Sequence, residues 1–154
     1  MYPKLNLPDY SLKIKKTDKG NLVFDNIRKK FILLTPEEYV RQQFVNYLID
    51  KKNYPKGLIG IEKQIKIFGL NKRTDIVLFN KQGNAGVIVE CKAPEVSISQ
   101  NTFDQIARYN MKFKAEYLIV TNGLSHYCCK PNYADNTYDF IKDIPKYEDL
   151  IQNR

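Results

Sequence analysis

Arg73-Thr74-Asp75-Ile76-Val77 and, a hairpin later, Val87-Ile88-Val89-Glu90-Cys91-Lys92 decide how this chain is read. Each segment is a β-branched, apolar run with an acid set into it. Side chains alternate along a strand, so Glu90 and Lys92 share one face and Cys91 points to the other. Burying a lone carboxylate is costly, and an acid and a lysine at the end of a Val/Ile strand therefore require partners: a metal ion, or each other. The turn-forming Asn80-Lys81-Gln82-Gly83-Asn84 lies between the two segments and predicts an antiparallel pair that brings Asp75 close to Glu90.

Working outward, Leu58 to Phe68 reads as a third strand, joined to Arg73–Phe79 through Gly69-Leu70-Asn71-Lys72, and Gly86 to Lys92 completes a meander. Thr35-Pro36-Glu37-Glu38 supplies an N-cap hydroxyl, a proline at the first helical position and a glutamate at the capping-box position. The helix it opens carries Val40, Phe44, Tyr47 and Leu48 as a core stripe and stops near Lys52, before Tyr54-Pro55 and Gly57. A second helix is predicted over Phe103 to Phe113, then a buried strand Tyr117 to Thr121, a turn at Asn122-Gly123 and a further strand at His126 to Lys130. Ser11–Ile14 and Leu22–Phe24 flank the turn Asp18-Lys19-Gly20-Asn21 as a β-hairpin, followed by an extended run Lys30–Leu34. The charged, Tyr-rich segment to Arg154 reads as a short helix or irregular cover. The order α-β-β-β-α-β is an α/β layer arrangement with a mixed central sheet. We divide it as one domain: residues 1–34 a β extension, 35–130 the core and 131–154 a C-terminal cover.

A chain of 154 residues suits one core, and its mix of apolar, aromatic and charged residues is that of a folded protein. Twenty-five Lys and Arg against 17 Asp and Glu give a net charge of +8, a field suited to phosphate-rich partners but also simply to solubility. Cys91, Cys128 and Cys129 form neither a disulfide framework nor a CxxC zinc pattern, which points to a reducing cytoplasm. The single histidine, His126, excludes a multi-histidine zinc site and reads as a packing or surface residue. No apolar signal region or stretch of roughly 18 apolar residues occurs, so neither export nor a membrane span is expected.

Two carboxylates converging on one hard cation suit magnesium, which keeps several waters and takes few protein oxygens. Asp75, Glu90 and the Cys91 backbone carbonyl would suffice beside a substrate phosphate. Such an ion polarises the scissile phosphate and lowers the pKa of a bound water. Lys92 would position that water, stabilise charge developing on the phosphate, or accept a proton. The plainer alternative is that Asp75 pairs with Arg73 and that Glu90 and Lys92 form a salt bridge on a solvated face.

At this point the sequence resembles the N-terminal nuclease domain of type I restriction enzyme R subunits, a branch of the PD-(D/E)XK nucleases. The resemblance rests on Pro36-Glu37-Glu38-Tyr39-Val40-Arg41-Gln42, Asp75-Ile76-Val77, Val89-Glu90-Cys91-Lys92-Ala93-Pro94, Gln105-Ile106-Ala107-Arg108-Tyr109-Asn110 and Val120-Thr121-Asn122-Gly123. It implies a restriction-endonuclease-like three-layer core and a magnesium-dependent deoxyribonuclease, with Mn2+ able to substitute. Asp75 and Glu90 would bind metal, Lys92 would serve the attacking water, and Glu38 would add an acid from the first helix, or only cap it. Gln105 and Tyr109 match a Q-x-x-x-Y element one helical turn apart and, with Arg73, would support the site or contact nucleic acid. Thr74 stands where the motif has proline, and no GxxxxGK[ST] occurs, so the resemblance does not extend to an ATP-driven motor.

DNA is the expected partner, with a homodimer or a separate helicase or restriction subunit as further candidates. Lys13, Lys15, Lys16 and Lys19 with Arg28, Lys29 and Lys30 are candidates to track a DNA backbone, or form a solvated hairpin face. The competing reading is a non-catalytic DNA-binding or assembly module of the same fold. A third is a structural protein whose acids only form salt bridges.

Overall fold

The computed structural model describes residues 2–67 and 69–151. Two sheets and two α-helices, with three short 3-10 helices, make up the described chain. The first sheet is an antiparallel meander of β1 (Ile14–Thr17), β2 (Gly20–Asp25) and β3 (Lys30–Leu33). Gly20, at φ +120°, closes the first turn in a conformation that side-chain-bearing residues rarely adopt. The buried Asp25 carboxylate accepts the backbone N–H groups of Ile27 (2.7 Å) and Arg28 (2.8 Å) and so shapes the β2–β3 connection.

Helix α1 (Pro36–Lys52) begins where the sequence predicts. Thr35 Oγ1 accepts the Glu38 N–H at 3.0 Å, and Asn53 ends the helix in the left-handed region. The second sheet has the order β4 (Ile59–Ile67), β5 (Leu70–Phe79), β6 (Ala85–Cys91), β7 (Tyr117–Thr121), β8 (His126–Asn132) and β9 (Thr137–Ile141). Only β6 and β7 run parallel, joined by the crossover helix α2 (Gln100–Asn110), which Ser99 caps; all other pairings in this sheet are antiparallel. The sheet is therefore mixed, as expected.

Strand alternation divides the core in two. Ile76, Leu78, Val87, Val89 and Ile119 pack with Val40, Phe44 and Leu48 of α1. Val77, Ile88, Leu118 and Val120 pack with Phe103 and Ala107 of α2. Each helix thus covers its own apolar cluster of the sheet.

Several expected boundaries change: β1 spans Ile14–Thr17 where Ser11–Ile14 was expected, and α2 starts at Gln100, capped by Ser99, where the helix was expected from Phe103. β5 starts at Leu70 and not at Arg73, because Gly69 at φ +77° permits a tighter turn than the one read from Gly69–Lys72. Phe68, expected to end β4, and residues 152–154 of the C-terminal cover lie outside the described residues. The cover does hold a short helix, a single 3-10 turn at Tyr147–Asp149, but its residues 137–141 also add β9 to the sheet edge, and Leu150 is fully buried against Gly86. The pattern of β9 is mostly exposed, so it lacks the apolar alternation that marks a strand in sequence. Tyr54, in turn, donates its hydroxyl to the Pro145 carbonyl at 2.8 Å and ties the far end of α1 to this segment.

Candidate active site

The first turns of α1 place Glu37, Glu38 and Arg41 within one helical turn of each other, at the i, i+3 and i, i+4 spacings that bring side chains together. Arg41 donates to Glu38, to Glu37 Oε1 at 3.1 Å and, across to β5, to Asp75 Oδ1 at 3.1 Å; Glu62 Oε1 of β4 is 3.4 Å away. Arg28 enters from the β2–β3 connection. Its Nε donates to Asp25 Oδ2 at 2.7 Å, its Nη2 to Glu38 Oε2 at 3.2 Å and its Nη1 to Glu62 Oε2 at 3.5 Å. Gln42 completes the network by donating to Glu38 Oε2 (2.8 Å) and Asp25 Oδ2 (3.0 Å). Five carboxylates, from Asp25, Glu37, Glu38, Glu62 and Asp75, thus share two buried or half-buried guanidinium groups. The local balance is acidic although the whole chain is basic.

The sheet register determines what faces this cluster. Ile76 pairs with Val89, which brings Asp75 level with Glu90, and Asp75 Oδ2 accepts the Cys91 N–H at 2.8 Å. The Lys92 N–H donates to the Thr121 carbonyl at 2.8 Å, so its backbone is pinned to the end of β7. Opposite Asp75 on β4, Glu62 sits at φ +46°, and the ladder passes from Ile61–Ile76 to Lys63–Thr74 without it. A non-glycine residue held in that region costs on the order of 1 to 3 kcal/mol, and such strain tends to collect at functional sites.

The electrostatics of Glu37 report the crowding. Burial pushes its carboxyl above the usual glutamate value and the Asp75 charge pushes it further. Arg41 and Lys92 pull it back, and Glu62 adds a smaller upward push. Asp25 shows the reverse balance. Burial raises its carboxyl, but the Arg28 backbone N–H, the Arg28 and Gln42 side chains and the Arg28 charge outweigh that and hold it below the usual aspartate value. Cys91 is fully buried, and burial together with Asp75 drives its thiol well up, so it remains a neutral core side chain and no nucleophile.

The predicted site residues meet different fates. Asp75, midway along β5, lies level with Glu90 near the end of β6, and Lys92 directly follows that strand; all three are half-buried. Glu38 is buried, and its carboxylate goes to Arg28, Arg41 and Gln42; only its N–H serves the cap. Arg73 does not hold Asp75. Its side chain is 73% exposed and reaches Glu62 at 3.5 Å, because Asp75 is taken by Arg41 from the helix side. Gln105 and Tyr109 share an exposed face of α2, with Tyr109 packed on Phe113 and lying beneath Lys112. Glu37, Glu62 and Arg41 belong to the cluster without having been singled out from sequence, and Arg28, read there as a candidate DNA-backbone contact, is instead engaged by Asp25, Glu38 and Glu62. Glu37 and Arg41 do stand in the Pro36–Gln42 block, and an arginine at a buried position of the α1 stripe was the signal available.

Residue chemistry bears on metal binding in two ways. The donors around Asp75 and Glu90 are hard oxygens in negative excess, the set that magnesium prefers. Among the described residues, however, no three His, Cys, Asp or Glu side chains converge in a group that could by itself hold a metal ion. The fit is therefore to an ion held by few protein ligands and completed by water and substrate. A concavity of about 460 Å³ lies elsewhere, lined by Asn84, Phe113, Lys130 and Tyr133, none of them in the acidic cluster.

The chain belongs to the family described as type I restriction enzyme R protein N terminus (HSDR_N), whose model matches residues 36–145. That match starts at α1 and takes in β9. The chain also resembles the structure of a fragment assigned as the HsdR subunit of a type I restriction enzyme from Vibrio vulnificus YJ016. The TM-score is 0.52 and the identity 16%, with 78% of this chain and 25% of that one covered. That likeness is one of fold, and this chain spans a quarter of the length of that structure. No curated protein matches the chain with significance. Among the described residues no helix is long and apolar enough to cross a membrane.

Proposed function

We propose that this chain is a restriction-type nuclease domain of the PD-(D/E)XK class, hydrolysing DNA phosphodiesters with Mg2+ or Mn2+. In this reading the α-β-β-β-α-β portion is a restriction-endonuclease core, and the described chain is one domain with an N-terminal β extension. The observation that carries the reading is the negative excess around Asp75, which lies level with Glu90, two residues before Lys92. Asp75, Glu90 and the Cys91 carbonyl would hold the ion, which when bound polarises the phosphate and activates a water. Lys92, pinned through its backbone to Thr121, orients the water or stabilises charge on the phosphate. Arg41, which also lies close to the strained Glu62, fixes Asp75 from the other side. Family membership supports a role in restriction; the proposed setting is the cytoplasm, with DNA as partner and either a second copy of the chain or a separate helicase or restriction subunit beside it.

One observation favours the rival, a non-catalytic DNA-binding or assembly module. Both oxygens of Asp75 already have partners, Arg41 and the Cys91 N–H, and a guanidinium is a cation in its own right. The deciding experiment is cleavage of supercoiled, linear and single-stranded DNA by the purified chain with Mg2+ or Mn2+, beside Lys92→Ala and an EDTA control. Cutting that vanishes in both controls establishes the nuclease. A folded chain that cuts none of the three forms refutes it in favour of the module.

A further inference from the structure

The sheet β1–β3 has two unlike faces. The register sets Lys13, Phe24 and Phe31 in one row and Lys15, Leu22 and Leu33 in the next, and alternation sends all six to the same side. The other side carries Val23 and Asp25, both fully buried against the body of the protein. On the outer side Phe31 is 37% and Leu33 51% exposed. The Phe24 and Phe31 rings meet edge to face at 5.3 Å. Lys13 Nζ lies 5.4 Å from the Phe24 ring and 5.9 Å from that of Phe31, and Lys15 Nζ lies 5.7 Å from Phe31.

An exposed aromatic face would ordinarily suit an apolar protein surface, but here two ammonium groups stand directly over the rings, and burying them beneath such a surface is costly. Unpaired nucleotides satisfy both features: a base stacks on the ring while the lysines move to the phosphates. A duplex keeps its base faces stacked inside and has nothing to offer Phe31. We infer that the outer face of β1–β3 binds single-stranded DNA, with Phe31 as the stacking platform and Lys13 and Lys15 as its phosphate contacts. The inference rests on the proposed reading only in taking DNA as the partner. Arg28, between β2 and β3, bonds to Asp25 and Glu38, so a strand held on this face is tethered to the body that carries Asp75 and Lys92.

The test is fluorescence anisotropy of labelled oligo-dT with the whole chain in EDTA, where binding is read without cleavage. Phe31→Ala should weaken binding about tenfold while Phe31→Tyr binds like wild type. Lys13→Gln with Lys15→Gln should flatten the salt dependence of log K by about 1.4, roughly 0.7 per phosphate contact. Binding to duplex should not respond to Phe31→Ala. The inference is overturned if Phe31→Ala, folded by circular dichroism, binds oligo-dT as wild type does, or loses duplex and single strand equally. It is also overturned if the face proves to join two copies, with wild type dimeric and Phe31→Ala monomeric by sedimentation. A chain that binds through Phe31 yet never cuts DNA would uphold this inference and refute the nuclease; cutting with no Phe31 dependence of binding would do the opposite.

Discussion

Replacing Arg41 with methionine, a neutral side chain of similar volume, should expose the electrostatic core of the site. The guanidinium is 4% exposed and holds Glu37, Glu38 and Asp75, with Glu62 close by. Removing one member of a buried ion pair costs about 3 to 5 kcal/mol, because the partner charge is left without compensation. For a chain of this size that is a fall in Tm of roughly 6 to 20 °C. Glu38, at 5% side-chain exposure, is the carboxylate most fully enclosed with Arg41, so Glu38→Gln on the Arg41→Met background should restore part of the loss. Urea unfolding followed by circular dichroism closes the double-mutant cycle, with a coupling of about 0.5 to 3 kcal/mol expected. A cycle additive to within about 0.5 kcal/mol, or an Arg41→Met variant as stable as wild type, would show that the network does not hold α1 to the sheet.

Two further outcomes follow from the same cluster. Mg2+ or Mn2+ should raise the Tm of the wild type, and Asp75→Asn should abolish that rise; an equal rise in both would place the ion elsewhere. Asp25 has a folded carboxyl value below its unfolded one, so its stabilising contribution is present above about pH 4 and is lost as pH falls through the folded value. Asp25→Asn should therefore lower stability at neutral pH and flatten the acid limb of the stability–pH curve, and parallel curves for the two proteins would contradict the assignment.

Much of the fold was legible because it rests on local signals. Thr35-Pro36 starts α1 by a hydroxyl cap and a fixed φ, and the apolar runs at Ile76–Leu78 and Val87–Val89 read as strands because both faces of those strands are covered. β9 was missed because an edge strand of mostly exposed residues has no apolar period, and its hydrogen bonds to β8 are its main evidence. In the site, Asp75, Glu90 and Lys92 could be picked out as charges inside apolar strands. Arg28 and Glu62 could not. Each sits in an ordinary polar context and joins the site through residues 10 or more positions away, although Arg28 also pairs with Asp25 three residues before it.

The sequence by itself determined the strand and helix order, the turn that aligns Asp75 with Glu90 and the placement of Lys92, since all three follow from side-chain periodicity and short connections. Only the tertiary structure decided which partners those acids have. Arg41 comes from a helix and Arg28 from another sheet, and their forks reach Asp75, Glu38 and Glu62 through distances that no local pattern encodes. Buried charge must find its counter-charge in space: helical and turn spacing supplies Arg41 to Glu37 and Glu38 and Arg28 to Asp25, but the pairs that reach Asp75 and Glu62 are brought in by packing.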